Sequence, residues 1–261
     1  MFTERDLSSE LATVHDHNAP DALVVNCERD FETLDPSVAE DLLLVTESVA
    51  PLTYPDEWVP VDAPGELRRF ASGDFTIGMP GDGGVAWTRQ TDPPVVFVKP
   101  RLTGSLDAFV DFLIAEALVE VGLDVPEHFL GFFGDSYPDL AAAVGDHLDT
   151  TGTYQLAAAV YTAYVGLHTR AMFADWEEDC PGLFDAWVDA GERLEPRLGD
   201  LAEEVALGRT DFAAAAELAC SAVKHDSEIP APFGALDTSA YREYGPEYAI
   251  SWAEKTLDKV E

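Results

Sequence analysis

One helix-forming segment of this sequence carries side chains that could line a site for polar chemistry. His168 lies one helical turn beyond Tyr164, and Tyr161 and Arg170 are close by in the same apolar stretch. An imidazole, two phenols and a guanidinium could together line a polar pocket inside a helical bundle. The alternative is a core histidine whose ring hydrogen-bonds a tyrosine hydroxyl or a backbone carbonyl.

Metal and nucleophile signatures are absent from the sequence. His15 and His17 flank Asp16, but residues two apart on a helix point to different sides and cannot chelate one ion. The three cysteines are far apart, form no C-x-x-C pair, and are expected to be buried free thiols. No H-E-x-x-H, G-x-S-x-G, Walker loop or dinucleotide fingerprint occurs. We therefore predict no metal and no cofactor.

A glycine-rich turn, a strand lysine and a helix glutamate follow one another in the middle of the chain. The turn holds Gly81, Gly83 and Gly84, Lys99 ends an apolar strand, and Glu116 lies in the helix that follows. This order resembles the small lobe of the protein kinase and aminoglycoside phosphotransferase superfamily. There, a glycine-rich loop covers the phosphates of ATP and a helix glutamate holds the strand lysine. The resemblance implies that these five residues form a weak nucleotide-binding site.

The resemblance covers less than a quarter of the chain. The turn does not read G-x-G-x-x-G, and no H-R-D, H-G-D or D-F-G motif follows it. A kinase-like fold without these motifs has no catalytic base and no Mg²⁺ site. What the resemblance implies is a degenerate fold that binds a nucleotide without turnover.

The elements that must position Lys99 and Glu116 are a small sheet and a long helix. Alternating apolar residues predict strands over residues 74–79, 85–90 and 95–99, and short turns between them favour an antiparallel meander. Residues 106–121 carry a helical apolar stripe, and Gly122 ends it. Two apolar faces so close in sequence are expected to pack together.

The remainder of the chain is mostly helical by the same criteria. Residues 3–14 and 37–49 predict helices, residues 22–27 fit either a helix or a strand, and residues 126–133 read as a connector or short strand. Further helices are predicted near residues 137–146, 151–173, 181–193, 195–206, 211–225 and 245–259. The predicted fold is mainly α with a small antiparallel sheet (α+β), a helical bundle packed with a three-stranded β-meander. We expect one compact domain over 1–261, with a possible subdivision into a mixed α/β amino-terminal segment (1–104) and a helical segment (105–261).

The net charge is the strongest compositional signal. Asp and Glu number 50 against 15 Lys and Arg, which gives −35 over 261 residues, and only four of the basic residues are lysines. Such a charge makes a compact fold repel itself in dilute buffer, whereas molar salt shortens the Debye length to about 3 Å. The composition resembles that of haloarchaeal proteins. The acids are spread among 47% hydrophobic residues, which indicates a folded chain.

The same charge limits the partners and the location. A uniformly negative surface with no basic stripe repels nucleic-acid phosphates and anionic membranes, so we expect neither as a partner. The amino terminus has no apolar signal region, and no stretch approaches 18 uninterrupted apolar residues. We expect a halophilic, soluble, cytoplasmic protein with an unknown protein or small-molecule partner.

Three functions remain open on the sequence. The first is a non-catalytic module for protein interaction or small-ligand binding, which follows because no catalytic constellation is complete. The second is an enzyme of unrecognised type with its site among helices near His168. The third is the degenerate kinase-like fold with Lys99 and Glu116. No family of known activity is recognised beyond an uncharacterised haloarchaeal family.

Overall fold

The computed structural model describes residues 2–79 and 83–258, apart from the side chain of Glu66. Its described residues form two compact units, each built from separate chain segments. The first unit draws on Met1–Tyr54, Gly65–Glu127 and Trp176–Ala186, and the second on Pro55–Pro64, His128–Asp175 and Trp187–Glu261. These segments do not follow the predicted division at residue 104. The expectation of one domain stays a prediction, and each unit is described by itself.

The strands of the described chain all lie in the first unit. They are β1 (Phe2–Glu4), β2 (Leu23–Cys27), β3 (Ser48–Val49), β4 (Val85–Thr88), β5 (Thr91–Asp92) and β6 (Val95–Val98). A mixed four-stranded sheet has the order β1-β2-β6-β4, in which β2 and β6 are parallel and the other neighbours antiparallel. Strands β3 and β5 form a separate antiparallel pair. The α+β class is confirmed.

The predicted three-stranded antiparallel meander is wrong, although its last two strands pair as expected. Residues 74–79, all within the described chain, form no strand. Phe75 and Ile77 are buried in the core, as their alternation suggested. The backbone oxygens of this segment nevertheless bond outside any strand pair. Leu34 N–H donates to Ile77 O at 2.8 Å, and the Gln90 side chain donates through Nε2 to Thr76 O at 2.8 Å. Alternation reports which side chains are buried but not which backbone groups pair.

Strand β2 pairs with β6 on the side of β6 for which the predicted meander supplied no partner. Residues 22–27, which fit a helix or a strand, contribute β2, and Val24 and Val25 within it are buried. A buried strand of β-branched residues in parallel pairing shows no polar alternation, which is why the sequence left the choice open. Parallel pairing brings the carboxyl ends of β2 and β6 to one edge of the sheet.

The helices of the first unit depart from expectation near the amino terminus. They begin with α1 (Ser9–Asn18), α2 (Pro36–Ala39), α3 (Gly65–Ala71) and α4 (Asp107–Gly122). The predicted helix over 3–14 is replaced by β1 and α1. Phe2 packs on Phe97 with ring centroids 5.7 Å apart, and the Ser8 side chain caps α1 by accepting a bond from Leu11 N–H. The predicted helix over 37–49 ends early, in a 3₁₀ turn (Glu40–Leu44) and then β3.

The long helix of the first unit is confirmed within a residue at each end. Helix α4 contacts β4 and β6, as the two apolar faces predicted. Trp87 Nε1 on β4 donates to Glu120 Oε2 on α4 at 2.7 Å, which ties the sheet to the helix. After α4, the half-buried Glu127 carboxylate accepts bonds from Thr88 Oγ1, Arg89 N–H and Gln90 Nε2 at 2.7 to 2.8 Å. These bonds fix the turn that leads out of β4.

The second unit is helical. Its first helices are α5 (Phe129–Phe133), α6 (Tyr137–Val144) and α7 (Thr150–Ala174); α8 (Trp176–Asp179) returns to the first unit, and α9 (Pro181–Leu198) runs from the first unit into the second. The chain continues with α10 (Leu201–Ala206), α11 (Phe212–Ala222) and α12 (Ser239–Leu257). Helix α7 contacts α5, α6, α11 and α12 and so forms the centre of this unit.

Several helix boundaries in the second unit differ from those predicted. The predicted connector over 126–133 contains α5. Buried His128 is the N-cap of this short, phenylalanine-rich helix, and its side chain accepts a bond from Leu130 N–H. The predicted break between 193 and 195 falls inside α9, which continues through Pro196 to Leu198. The helix predicted over 245–259 starts earlier, at Ser239, and residue 259 lies outside the described residues.

Candidate functional site

A cavity lies at the sheet edge where the parallel strands β2 and β6 end. Asn26 and Val98 are register partners at this edge, and Cys27 and Lys99 follow them. The cavity has a volume of about 320 Å³ and is lined in part by Arg5, Asn26, Lys99, Thr103, Ser105 and Asp107. Clefts at the carboxyl ends of parallel strands are the usual ligand sites of α/β sheets. We call this cavity the strand-end cavity.

Lys99 is a buried cation among the residues that line the strand-end cavity. Its side chain is only 1% exposed, and its ammonium lies 4.6 Å from the centroid of the Phe31 ring. The backbone fixes its position, since Lys99 N–H donates to Gly84 O at 2.8 Å. Lysine is almost never fully buried without a specific reason. A desolvated ammonium beside a cavity attracts an anion more strongly than an exposed one.

Arg5 adds a second cation to the strand-end cavity. Its Nη1 donates to Asn26 Oδ1 at 3.0 Å, which orients the guanidinium along the sheet edge. The Arg5 Nε atom is buried and has no hydrogen-bond partner among the described residues. An arginine offers donors in a fixed planar fork that matches carboxylate and phosphate oxygens.

The loop that joins β6 to α4 forms the outer wall of the strand-end cavity. Gly104 has φ +89°, a backbone conformation that favours glycine. Helix α4 then begins at an N-cap, Leu106, that makes no side-chain capping bond. The first turn of α4 therefore has no side-chain cap on its backbone N–H groups. Asp107 is the one acid among the lining residues of the described chain, and it is exposed.

A salt-bridged arginine holds the aromatic cover of Lys99. Arg101 Nε donates to both carboxylate oxygens of Asp30 at 2.8 and 2.9 Å, and its Nη2 donates to Glu32 Oε1 at 2.7 Å. The same Nη2 donates to Phe31 O at 3.2 Å. These bonds raise the pKa of the Arg101 guanidinium further, and they fix the segment whose Phe31 ring lies over Lys99.

The thiol at this edge is not poised for nucleophilic chemistry. Burial raises the pKa of Cys27 to about 12, although the charge of Lys99 acts to lower it. Thiolate is the reactive form of cysteine, so Cys27 is a neutral thiol at neutral pH. The predicted free, buried state of all three cysteines is confirmed.

The described nucleotide-binding candidates other than Lys99 do not line the strand-end cavity. Glu116 is buried on α4, and Gly84 packs so tightly that a Cβ there would lie 2.2 Å from Leu102 Cγ. Gly83 is exposed, and Gly81 lies outside the described residues. The kinase-like resemblance required a hairpin whose first strand is residues 74–79, which form no strand. Nucleotide binding by these residues stays a prediction.

The candidates in the second unit divide between two places. Tyr161, Tyr164 and His168 surround an aromatic cluster, in which Phe132 lies 5.3 Å from Tyr161 and 4.6 Å from Tyr164 between ring centroids. The rings of Tyr164 and His168 are 4.7 Å apart. Burial lowers the pKa of His168, and its Nε2 has no hydrogen-bond partner in the described chain. A ligand role for this cluster stays a prediction.

Arg170 does not join that cluster. Arg170 lies two residues beyond His168 on α7, so its side chain points to another side of the helix. There, its Nη1 lies 2.5 Å from Asp237 Oδ1 and 3.1 Å from Asp226 Oδ1. Two carboxylates share this one cation, so Arg170 ties α7 to the segments after α11. The prediction that Arg170 lines a pocket together with His168 is therefore wrong.

A kink in α12 packs against the aromatic cluster and gives a testable requirement for glycine. Gly245 has φ +50° and ψ −119°, and a Cβ there would lie 3.4 Å from the Phe132 ring and 3.7 Å from the Tyr164 ring. We expect Gly245→Ala to lower the free energy of unfolding by about 1–3 kcal/mol, because other residues rarely adopt this backbone conformation. Denaturant unfolding measures the change.

A second glycine substitution serves as the control. Gly199→Ala, at a position with open space around it, should change the free energy of unfolding by less than about 0.5 kcal/mol. If both variants were equally stable, the kink would carry no strain and the role given to Gly245 would be wrong.

The sequence missed Arg5, Asn26 and the loop over 103–105 as components of a site. Asn26 was hidden because the type of element over 22–27 was open, and Arg5 because it was expected within a helix. A signal did exist: a polar residue at the end of each of two buried apolar runs, followed by a glycine loop and a helix. In the described residues, no cluster of three or more His, Cys, Asp or Glu side chains could hold a metal ion.

Together, the fold and the strand-end cavity define an α+β protein with two cationic side chains at the edge of a mixed sheet. The chain matches a family of unknown function, DUF7089, over residues 1–260, and it belongs to that family. No curated protein and no solved structure matches the chain. The prediction of an uncharacterised family without a recognised activity is confirmed. Among the described helices, none has the length and apolar character needed to span a membrane.

Proposed function

We propose that this protein is a non-catalytic module that binds a small anionic ligand in the strand-end cavity. The observation that carries the proposal is the position of Lys99, 1% exposed at the carboxyl edge of β2 and β6, in a cavity that Arg5 also lines. The ligand carries a phosphate or carboxylate group, the two chemistries that an ammonium and a guanidinium recognise together.

The electrostatics of the chain support an anion site rather than a general basic surface. The net charge is −35, so an anion approaches most of the surface against repulsion. Two cations beside one cavity provide a local exception, and the uncapped first turn of α4 adds positive backbone dipoles. The exposed Asp107 carboxylate at the rim opposes ligands of high charge.

The setting of this function follows from the same charge. We infer a halophilic, cytoplasmic protein of haloarchaeal type, in which molar salt screens the acidic surface. Neither nucleic acid nor membrane is its partner, since both present arrays of negative charge and the protein presents no basic stripe. The partner is a small molecule.

Thermal unfolding in 2 M KCl tests the proposal with inorganic phosphate, acetate and ATP as probes and glycerol as the neutral control. We expect at least one anion to raise the unfolding midpoint, because binding to the folded state alone stabilises it by about 2.7 kcal/mol at 100 times the Kd. Lys99→Met keeps the length of the side chain and removes its charge, so the shift should disappear.

Two further variants separate binding from folding. Arg5→Gln, at a partly exposed residue, should weaken binding of the same anion and reduce the shift. Arg193→Gln removes an exposed cation of α9 and should leave the shift unchanged. If no anion shifts the wild type, or if Arg5→Gln and Arg193→Gln behave alike, the strand-end cavity is not an anion site.

A further inference from the structure

A second, larger cavity lies within the second unit, between α12 and the segment before it. Its volume is about 970 Å³, and it is lined by one face of α12 and by the residues from Ile229 to Ala235. Tyr248, Trp252 and Lys255 supply that face, at the i, i+4, i+7 spacing of a single helix side. The face is about 10 Å long at 1.5 Å per residue. We call this cavity the α12 groove.

The walls of the α12 groove are held in place by hydrogen bonds from its aromatic residues. Trp252 Nε1 donates to Pro232 O at 3.0 Å, and Tyr248 Oη donates to Ala235 O at 3.0 Å. Trp252 is also packed on Phe233, with ring centroids 6.2 Å apart. Both polar tips are therefore used by the protein itself, and these residues offer a ligand apolar surface in a preformed shape.

The charge of the α12 groove is opposite to that of the chain. Lys255 is exposed and is the only charged residue among the described residues that line the groove. No carboxylate among those residues lines it, although acids outnumber bases 50 to 15 in the sequence. A single lining cation suits one negative charge rather than a polyphosphate.

We propose that the α12 groove binds a small apolar monoanion, with the apolar body along Pro232 and Trp252 and the carboxylate at Lys255. A medium-chain fatty acid is the simplest ligand of this chemistry. The site is separate from the strand-end cavity and goes beyond the function proposed for it.

Matched ligands that differ only in charge test the proposal. Octanoate and 1-octanol are titrated into the full chain in 2 M KCl, with the Trp252 indole N–H signal in the NMR spectrum as reporter. We expect octanoate to bind about twofold more tightly than octanol, near the lower end of what one exposed ion pair supplies, because molar salt screens the pair. Lys255→Gln should remove this preference and leave octanol binding unchanged.

Two controls keep the outcome decisive. Ser251→Phe places a large side chain in the α12 groove and should abolish binding of both ligands, whereas Arg193→Gln should change neither. If the wild type binds neither ligand, binds both equally, or keeps its preference in Lys255→Gln, the α12 groove is not a site for an apolar monoanion. Retained binding in a folded Ser251→Phe variant would place the ligand elsewhere.

Discussion

The thermal unfolding midpoint of this protein is expected to rise by more than about 10 °C between dilute buffer and 3 M KCl, which corresponds to about 3–5 kcal/mol for a chain of this size. The cause is repulsion among the 50 acidic residues, which 15 basic ones do not offset. At 3 M salt the Debye length is below about 3 Å, so repulsion between separated surface carboxylates largely vanishes. Scanning calorimetry across a KCl series measures the midpoint.

Two exposed glutamates of α9 provide the matched variant for this prediction. Glu192→Gln together with Glu195→Gln removes two negative charges, and Arg193→Gln removes one positive charge from the same helix. The first variant should be stabilised in dilute buffer and the second destabilised, and both differences should shrink at 3 M KCl. A midpoint that stays flat or falls with KCl would rule out the halophilic interpretation.

Acidification is expected to destabilise the protein through His128, by about 2 kcal/mol between pH 6.5 and pH 5. Burial lowers the pKa of His128 from 6.5 to about 3. The folded state therefore keeps a neutral ring, while the unfolded chain binds a proton once the pH falls below 6.5. Because the unfolded state holds more protons, the free energy of unfolding decreases as the pH falls, by about 1.4 kcal/mol per unit from this residue.

A cap-preserving variant isolates this contribution from that of the many carboxylates. His128 Nδ1 accepts a bond from Leu130 N–H at 3.0 Å at the start of α5, and asparagine is a good residue for that position. Between pH 6.5 and pH 5, the free energy of unfolding of His128→Asn should therefore fall by about 2 kcal/mol less than that of the wild type. His17→Asn, at an exposed position, should follow the wild type. Parallel pH curves for all three proteins would contradict the role given to His128.

The sequence predicted well the long helices that carry a strong apolar stripe. Helix α4 was expected over 106–121 and is found at Asp107–Gly122, and α7 was expected over 151–173 and is found at Thr150–Ala174. Pairing between strands was less predictable. Residues 85–88 and 95–98 pair as neighbours in sequence suggest, but the parallel partner of β6 comes from residues 23–27, and no local pattern encodes so distant a contact.

The candidate sites show the same limit. Lys99 was singled out from a motif order, and the structure places it in a cavity for a different reason, the parallel edge that it shares with Asn26. Arg170 was grouped with His168 by proximity in sequence, whereas the helix turns it toward Asp226 and Asp237. Spacing along one helix can be derived from periodicity, but the residues that face it come from elements whose placement only the tertiary fold determines.

The interleaved segments of the two units have a consequence for the order in which the chain is made. The first unit is completed only by Trp176–Ala186, where Trp176 lies 6.5 Å from Phe112 between ring centroids and Leu183 N–H donates to Glu10 Oε2 at 3.0 Å. During synthesis these partners emerge long after β1 to β6 and α4. The first unit therefore stays incomplete until all of α5 to α7 has also left the ribosome. A gene cut after residue 127 would encode every described strand and still not a finished unit.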